Sequence, residues 1–350
     1  MIHPWLAPLW RQVVQGESRR AHALLLSGAP GQGKRDFAES YAARVLCAQP
    51  NESGEACGEC EGCRLRVSGN HPDLIRVVPE AELPEEQQSS GKTKPSTQIV
   101  VDQIRALRDK LGVTAHQNGT RVVLIDPAEA MNTNTANALL KLLEEPPPET
   151  LFLLISSAPR RLLPTIRSRC QQWFFPRPDA NASSAWMQES IGEGGAALLA
   201  LAGGMPLAAQ RLADMQGHEL RRRLINDLLG MPPNDPVMVA GDWDAWLRSK
   251  NATDAGFDLP MLIDWVHRWV WDLGALALGA NARFFPDCAD QMQAVVARAD
   301  ERALVDCYNA LVQIHRAASH PLNVRLVLED LLMRYAKAVR PAQVRAQPAR

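Results

Sequence analysis

The chain has 350 residues, 46% of them hydrophobic and 22% charged, with a formal net charge of -1. That composition suits a globular protein with room for two or three domains and a substantial core. The near-zero charge excludes the basic excess of an autonomous nucleic-acid-binding module, so any such contact is local or shared with partners.

The first residues (MIHPWLAPLWRQ) carry no charged leader followed by an apolar run, and no stretch reaches the ~20 uninterrupted apolar residues that span a bilayer. A cytoplasmic protein without membrane contact is expected. Through about residue 175 strand-like and helix-like segments alternate, the pattern of an α/β parallel sheet. Ala21–Ser27 is a short apolar run closed by a glycine turn, and Arg35–Cys47 has helical spacing in Phe37, Ala38, Tyr41, Ala42 and Val45. Asp73–Val78 reads as another strand. Glu80–Thr97 is polar and proline-containing, and predicts a mobile loop. Arg121–Ile125 and Leu151–Ser156 are continuous runs expected of strands buried on both faces. Between them Asn134–Glu145 is helical, stopped by Pro146, Pro147 and Pro148.

After Pro176–Pro178 small helices run to about Ala213, including Ala196–Ala202 ahead of Gly203 and Gly204. From Glu219 to Val339 the pattern is wholly helical, with long amphipathic stretches at Leu259–Leu278 and Glu301–Ala338. Trp265, Trp269 and Trp271 read as core residues of the first stretch. The closing PAQVRAQPAR predicts a disordered tail.

The run from Gly28 to Arg35 (GAPGQGKR) follows a strand and opens a helix. Gly28, Gly31 and Gly33 permit the tight turn in which backbone N–H groups face a phosphate, and Lys34 supplies a point charge to the terminal phosphates. A Walker A motif continues with Ser or Thr, whose hydroxyl binds Mg²⁺. Here Arg35 stands instead; it ligates no cation, though its charge attracts anions. Val122–Asp126 (VVLID) resembles a Walker B strand, with Asp126 placed to hold Mg²⁺ through water. ATPases of this type follow that acid with Glu to polarise the attacking water, whereas this chain has Pro127, and Glu129 is expected to point elsewhere. Metal ligation and water activation contribute separately to phosphoryl transfer. The expectation is weak or absent binding of ATP or ADP, and no turnover.

Three of the seven cysteines crowd into Cys57–Cys63, which favours reduced metal-binding thiolates over disulfides. With Cys47, the spacing Cys47-x9-Cys57-x2-Cys60-x2-Cys63 offers the four soft ligands of a closed, structural zinc site around turns containing Gly58 and Gly62. Metal-free thiols and a zinc ribbon that grips DNA are the alternatives. Glu52, Glu55, Glu59 and Glu61 offset Arg64 and Arg66, which disfavours DNA. Cys170, Cys288 and Cys307 are isolated and read as packing residues.

Beyond Leu151–Ser157 the chain continues APRRLLPTIRSRC, ending at Ser168, Arg169 and Cys170. An arginine at a rigid helix end can reach a neighbour's γ-phosphate across an interface. Taken alone, Arg169 reads as a surface or salt-bridge residue.

HALLLSGAPGQGK, the four cysteines, VVLID, ANALLKLLEEPP (Ala136–Pro147) and Ser168–Cys170 together resemble the clamp-loader branch of the AAA+ ATPases. HPLNVRLVLEDLL (His320–Leu332) extends the resemblance over nearly the whole chain. It implies an α/β AAA+ P-loop domain with a zinc module over 1–176, a small helical lid domain over 177–216, an all-α collar domain over 217–338 and a disordered tail over 339–350. In that family the collars join subunits into a ring that uses ATP to open a sliding clamp and place it on primed DNA during replication. The implied partners are the gamma/tau and delta subunits and, through the complex, the clamp and the DNA of the nucleoid. The resemblance also implies that Cys47, Cys57, Cys60 and Cys63 hold structural zinc, and that Arg169 serves a neighbouring subunit's ATP in trans.

The departures have a family meaning too. Non-hydrolysing subunits there commonly carry degraded Walker motifs, whereas gamma/tau motors keep theirs. Ser156 or Ser157 falls where motors carry a phosphate-sensing Thr, and Leu207 replaces a second sensor arginine expected soon after Gly204. A stator subunit is therefore expected, with an active gamma/tau-like ATPase as the alternative.

Overall fold

A computed structural model of the chain describes residues 2–16, 21–84, 86, 88, 95–112, 119–231, 234–317 and 323–340. Residues 85, 87 and 89–94 of the predicted loop between Glu80 and Thr97, and the tail from 341 onward, lie outside the described residues. The chain divides into two compact units, Met1–Ala182 and Ser183–Arg350.

The first unit is an α/β structure. Its elements are α1 (Ala7–Gln15), β1 (Ala23–Ser27), α2 (Lys34–Val45), α3 (Glu61–Val67), β2 (Leu74–Val77), α4 (Val101–Leu111), β3 (Arg121–Ile125), α5 (Thr133–Glu144), β4 (Thr150–Ser156), α6 (Pro164–Arg169) and β5 (Gln171–Phe174). The strands form one parallel sheet in the order β2-β3-β4-β1-β5. Every residue of β1, β3 and β4 is buried, as their unbroken apolar runs require with helices on both faces. Arg121 is the charged residue among them; its Nη1 donates to the Leu111 carbonyl at 2.7 Å.

β5 carries no strand signal in the sequence, because a four-residue edge strand shows neither a long apolar run nor clean alternation. Its Trp173 packs edge-on against Phe37 and Tyr41, with centroids 6.3 and 5.5 Å apart. Parallel pairing decides where the chemistry gathers. Ser27 sits beside Ser156, and Ile125 beside Leu154, so the C-terminal ends of β1, β3 and β4 open on one edge of the sheet. That edge, beside a reversal of strand order, is where open α/β sheets build ligand sites.

The second unit is helical: α7 (Ala180–Ser190, which starts just before the boundary), α8 (Gly195–Leu201), α9 (Pro206–Asp214), α10 (Gly217–Leu229), α11 (Pro236–Leu247), α12 (Lys250–Ala255), α13 (Leu259–Ala277), α14 (Ala289–Val296), α15 (Glu301–Ala317) and α16 (Val324–Ala338). One apolar cluster runs through it from Met187 to Val339. The stretch Glu301–Ala338 is two helices rather than one, and Asn323 caps the second by accepting from the Leu326 amide at 3.3 Å. Trp265 and Trp269 are core residues, and the Trp269 indole donates to the Tyr335 hydroxyl at 3.1 Å. Trp271 departs from that expectation and is 46% exposed, since its place on α13 faces away from the cluster. Cys170, Cys288 and Cys307 are buried, as packing residues should be. Among the described residues no single helix is long and apolar enough to cross a membrane.

Candidate nucleotide and metal sites

The glycine loop leaves β1 and enters α2 as the sequence implies. Gly31 and Gly33 take φ of 80° and 90°, a region that glycine enters without steric cost. The Lys34 ammonium donates to the Gly28 carbonyl at 2.9 Å, the Ala29 carbonyl at 2.7 Å and Ser157 Oγ at 3.0 Å. Ser157 is therefore the serine that faces the loop, while Ser156 Oγ accepts from the Ala158 amide at 3.2 Å.

The loop is braced by its own protein. A Cβ on Gly28 would meet Gln32 Oε1 at 2.0 Å, so only glycine lets the glutamine side chain fold across it. Gln32 Nε2 donates to the Pro176 carbonyl at 3.2 Å, and the Trp5 indole donates to the Gln32 carbonyl at 2.9 Å. His3 Nε2 lies 2.7 Å from Asp36 Oδ2 in the first turn of α2. No sequence motif marks His3, Trp5 or Gln32 for this role; only the fold brings them to the loop.

Arg35 does more than fail to bind a cation. Its Nε donates to Asp126 Oδ2, and its Nη2 donates to Glu82 Oε2 at 2.6 Å. The guanidinium thus joins the first turn of α2 to the end of β3 and to the turn after β2. Burial pulls the Arg35 pKa down, but the hydrogen bonds to Glu82 and Asp126 outweigh it and hold the group above its ordinary value. At Asp126 burial pushes the carboxyl up, and Arg35 offsets this only in part. The acid read as a water-mediated Mg²⁺ ligand is engaged by the protein's own cation.

Pro127 follows Asp126, and Glu129 does point elsewhere. Its Oε1 accepts from the amides of Ser157 at 2.9 Å and Ala158 at 3.1 Å, so it fixes the loop after β4 instead of facing a reacting water. Arg169 ends α6. Its Nη2 lies 2.5 Å from Glu144 Oε1, its Nη1 donates to the Thr165 carbonyl at 3.1 Å, and 35% of the side chain is exposed. Leu207 lies in α9 of the second unit.

The four cysteines converge. Cys47 Sγ lies 3.5 Å from Cys57 Sγ and 3.9 Å from Cys60 Sγ, and Cys57 Sγ lies 3.9 Å from Cys63 Sγ. All four sulfurs fall within 4.8 Å of one another. A tetrahedron with Zn–S bonds of ~2.3 Å has sulfur–sulfur edges of about 3.8 Å, so the set fits a four-coordinate soft cation and leaves no open position.

Backbone amides already point at the sulfurs, with Cys57 N donating to Cys47 Sγ at 3.3 Å, Cys60 N to Cys57 Sγ at 3.4 Å and Cys63 N to Cys60 Sγ at 3.4 Å. The Ala48 amide leads the contacts that hold the Cys60 thiol down at about 6, whereas burial pushes Cys63 up to about 12. Gly62 is required by closeness, since a Cβ there would lie 2.7 Å from the Leu46 carbonyl.

The profile of the family described as "DNA polymerase III, delta subunit" matches residues 6–179. The DNA polymerase III subunit delta' of Pseudomonas aeruginosa is 42% identical over 275 residues, covering 77% of this chain and 76% of that protein. The Escherichia coli subunit delta' is 32% identical over 275 residues, covering 77% and 75%. The gamma/tau subunit of Mycobacterium bovis is 37% identical over 169 residues, but that match reaches only 48% of this chain and 26% of that protein. At 275 residues the match to the Pseudomonas aeruginosa subunit is longer than either compact unit and so reaches into both. The chain belongs to the family of DNA polymerase III delta' subunits.

Proposed function

We propose that this chain is the stator of the clamp-loader complex: it hydrolyses no ATP itself and presents Arg169 to the ATP of an adjacent gamma/tau subunit. The observation that carries this reading is the Arg35–Asp126 pair, which occupies the acid that a hydrolytic site needs for Mg²⁺. Pro127 in place of a water-polarising acid, and Glu129 turned to the β4 loop, support it further. Gly28, Gly31, Gly33, Lys34 and Asp126 are then the remains of a nucleotide site kept for its architecture.

Residues 177–216 serve as lid and 217–338 as the collar, with delta and gamma/tau as neighbours. Apolar side chains left exposed on α13 (Trp271), just past its end (Leu278) and on α15 (Val305) suit a subunit interface in such a ring. Cys47, Cys57, Cys60 and Cys63 hold zinc, which ties the end of α2 to α3 and supplies no chemistry to a substrate. Through the complex the chain acts on the sliding clamp and primed DNA, in the cytoplasm at the nucleoid.

Arg169→Ala in the reconstituted complex is expected to leave assembly intact. The ATP site it serves is expected to slow on the order of 10³-fold, in line with other arginine fingers, and clamp loading to fall with it. Full ATPase and loading by that complex would remove the trans-arginine role. The retained loop and Lys34 favour a second reading, a gamma/tau-like motor. DNA-stimulated ATP turnover by the isolated chain would establish it.

A further inference from the structure

The fold family implies Mg²⁺ between the nucleotide phosphates and Asp126, and the residues present do not fit that ion. Three observations conflict with it. No hydroxyl stands at position 35 to ligate the metal. The Asp126 carboxylate accepts from Arg35 Nε, and the same guanidinium is pinned by Glu82 at 2.6 Å. Arg35 sits between two carboxylates, Asp126 and Glu82, and the Lys34 charge also acts on Asp126, so the acid that would meet a dication is already countered by the protein's own cations. A guanidinium does not deprotonate to make room, and its fork satisfies carboxylates at a fixed geometry.

We propose that Arg35 is a built-in counter-ion that keeps Mg²⁺ out of this site, so that a nucleoside polyphosphate on the loop is held without a divalent cation. The inference rests on reading the loop as a former nucleotide site, but it concerns the equilibrium of binding and not turnover. The phosphates meet the loop amides and the Lys34 ammonium, while Arg35 supplies the positive charge that the metal gives in a hydrolytic site. Hydration water on Mg²⁺ would have to compete with Arg35 for the Asp126 carboxylate.

The test compares ADP binding by the full zinc-loaded chain in EDTA and in millimolar Mg²⁺, by calorimetry, for the native protein and for Arg35→Thr. The native chain is expected to bind ADP in EDTA and to show no tightening with Mg²⁺; no measurable binding in either buffer overturns the inference. Arg35→Thr, which frees Asp126 and restores a hydroxyl, is expected to bind ADP on the order of tenfold more tightly with Mg²⁺ than without.

Tightening of that size in the native chain overturns the inference. So does a folded Arg35→Thr chain that gains no Mg²⁺ dependence. Thermal melting checks the fold, and Arg35→Ser repeats the measurement should the threonine variant fail to fold. ATP turnover by the native chain would instead strike the stator reading, so the two failures are separable.

Discussion

Two places in the first unit are written as cation sites, and they have gone opposite ways. At the cysteine cluster three sulfur pairs lie 3.5–3.9 Å apart, with backbone amides aimed at the sulfurs. At the glycine loop the acid that should meet a metal is held by Arg35. The first arrangement offers four soft ligands that could hold a metal ion, and a metal bound there would be coupled to the fold. The second balances its charge internally, so its geometry persists without a ligand. A motif that keeps its glycines and its lysine can therefore be structurally complete and electrostatically closed.

The sharpest way to break this contrast is to remove a sulfur. Cys60→Ser is expected to lower bound zinc from about one per chain to none and to loosen the Cys47–Val67 segment by several kcal/mol. Metal analysis and hydrogen exchange read both effects, and an unchanged zinc content would end the structural-metal reading. Acid should act in the same direction. Cys60 is poised near 6 while Cys63 sits at about 12 without metal, so binding must displace protons and retention must fall as pH falls. Zinc release into a chromogenic chelator is expected to rise steeply between about pH 7 and pH 5; release that is flat or rises with pH would contradict the thiolate assignment.

The loop site should respond more mildly, because its contacts are architectural. Glu129→Ala strands the amides of Ser157 and Ala158 and is expected to destabilise the first unit by about 1–3 kcal/mol in urea unfolding. The same variant should leave zinc content untouched. A loss of ATPase in the complex with no loss of stability would instead make Glu129 catalytic.

Much of this was legible in the chain itself. Continuous runs such as VVLI and LFLLIS announce strands buried on both faces, and the glycine–lysine loop announces its own turn. Two C-x2-C spacings with one preceding cysteine announce a tetrahedral set. The weak edge strand β5 was not legible, nor was the separation of α15 from α16, because short or capped elements lack the periodicity that marks long ones. Trp271 reads like its neighbours Trp265 and Trp269 until the helix is rotated into place.

What the residues determined alone is the inventory: a phosphate loop without its hydroxyl, an acid followed by proline, four thiols and an arginine after serine. What tertiary structure decided is the pairing. Arg35, Glu82 and Asp126 are separated by tens of residues and meet only because parallel strands deliver their C-terminal ends to one edge of the sheet. Local sequence carries propensity and spacing, but the partner of a charge is set by which distant segment the packed core brings within hydrogen-bond reach.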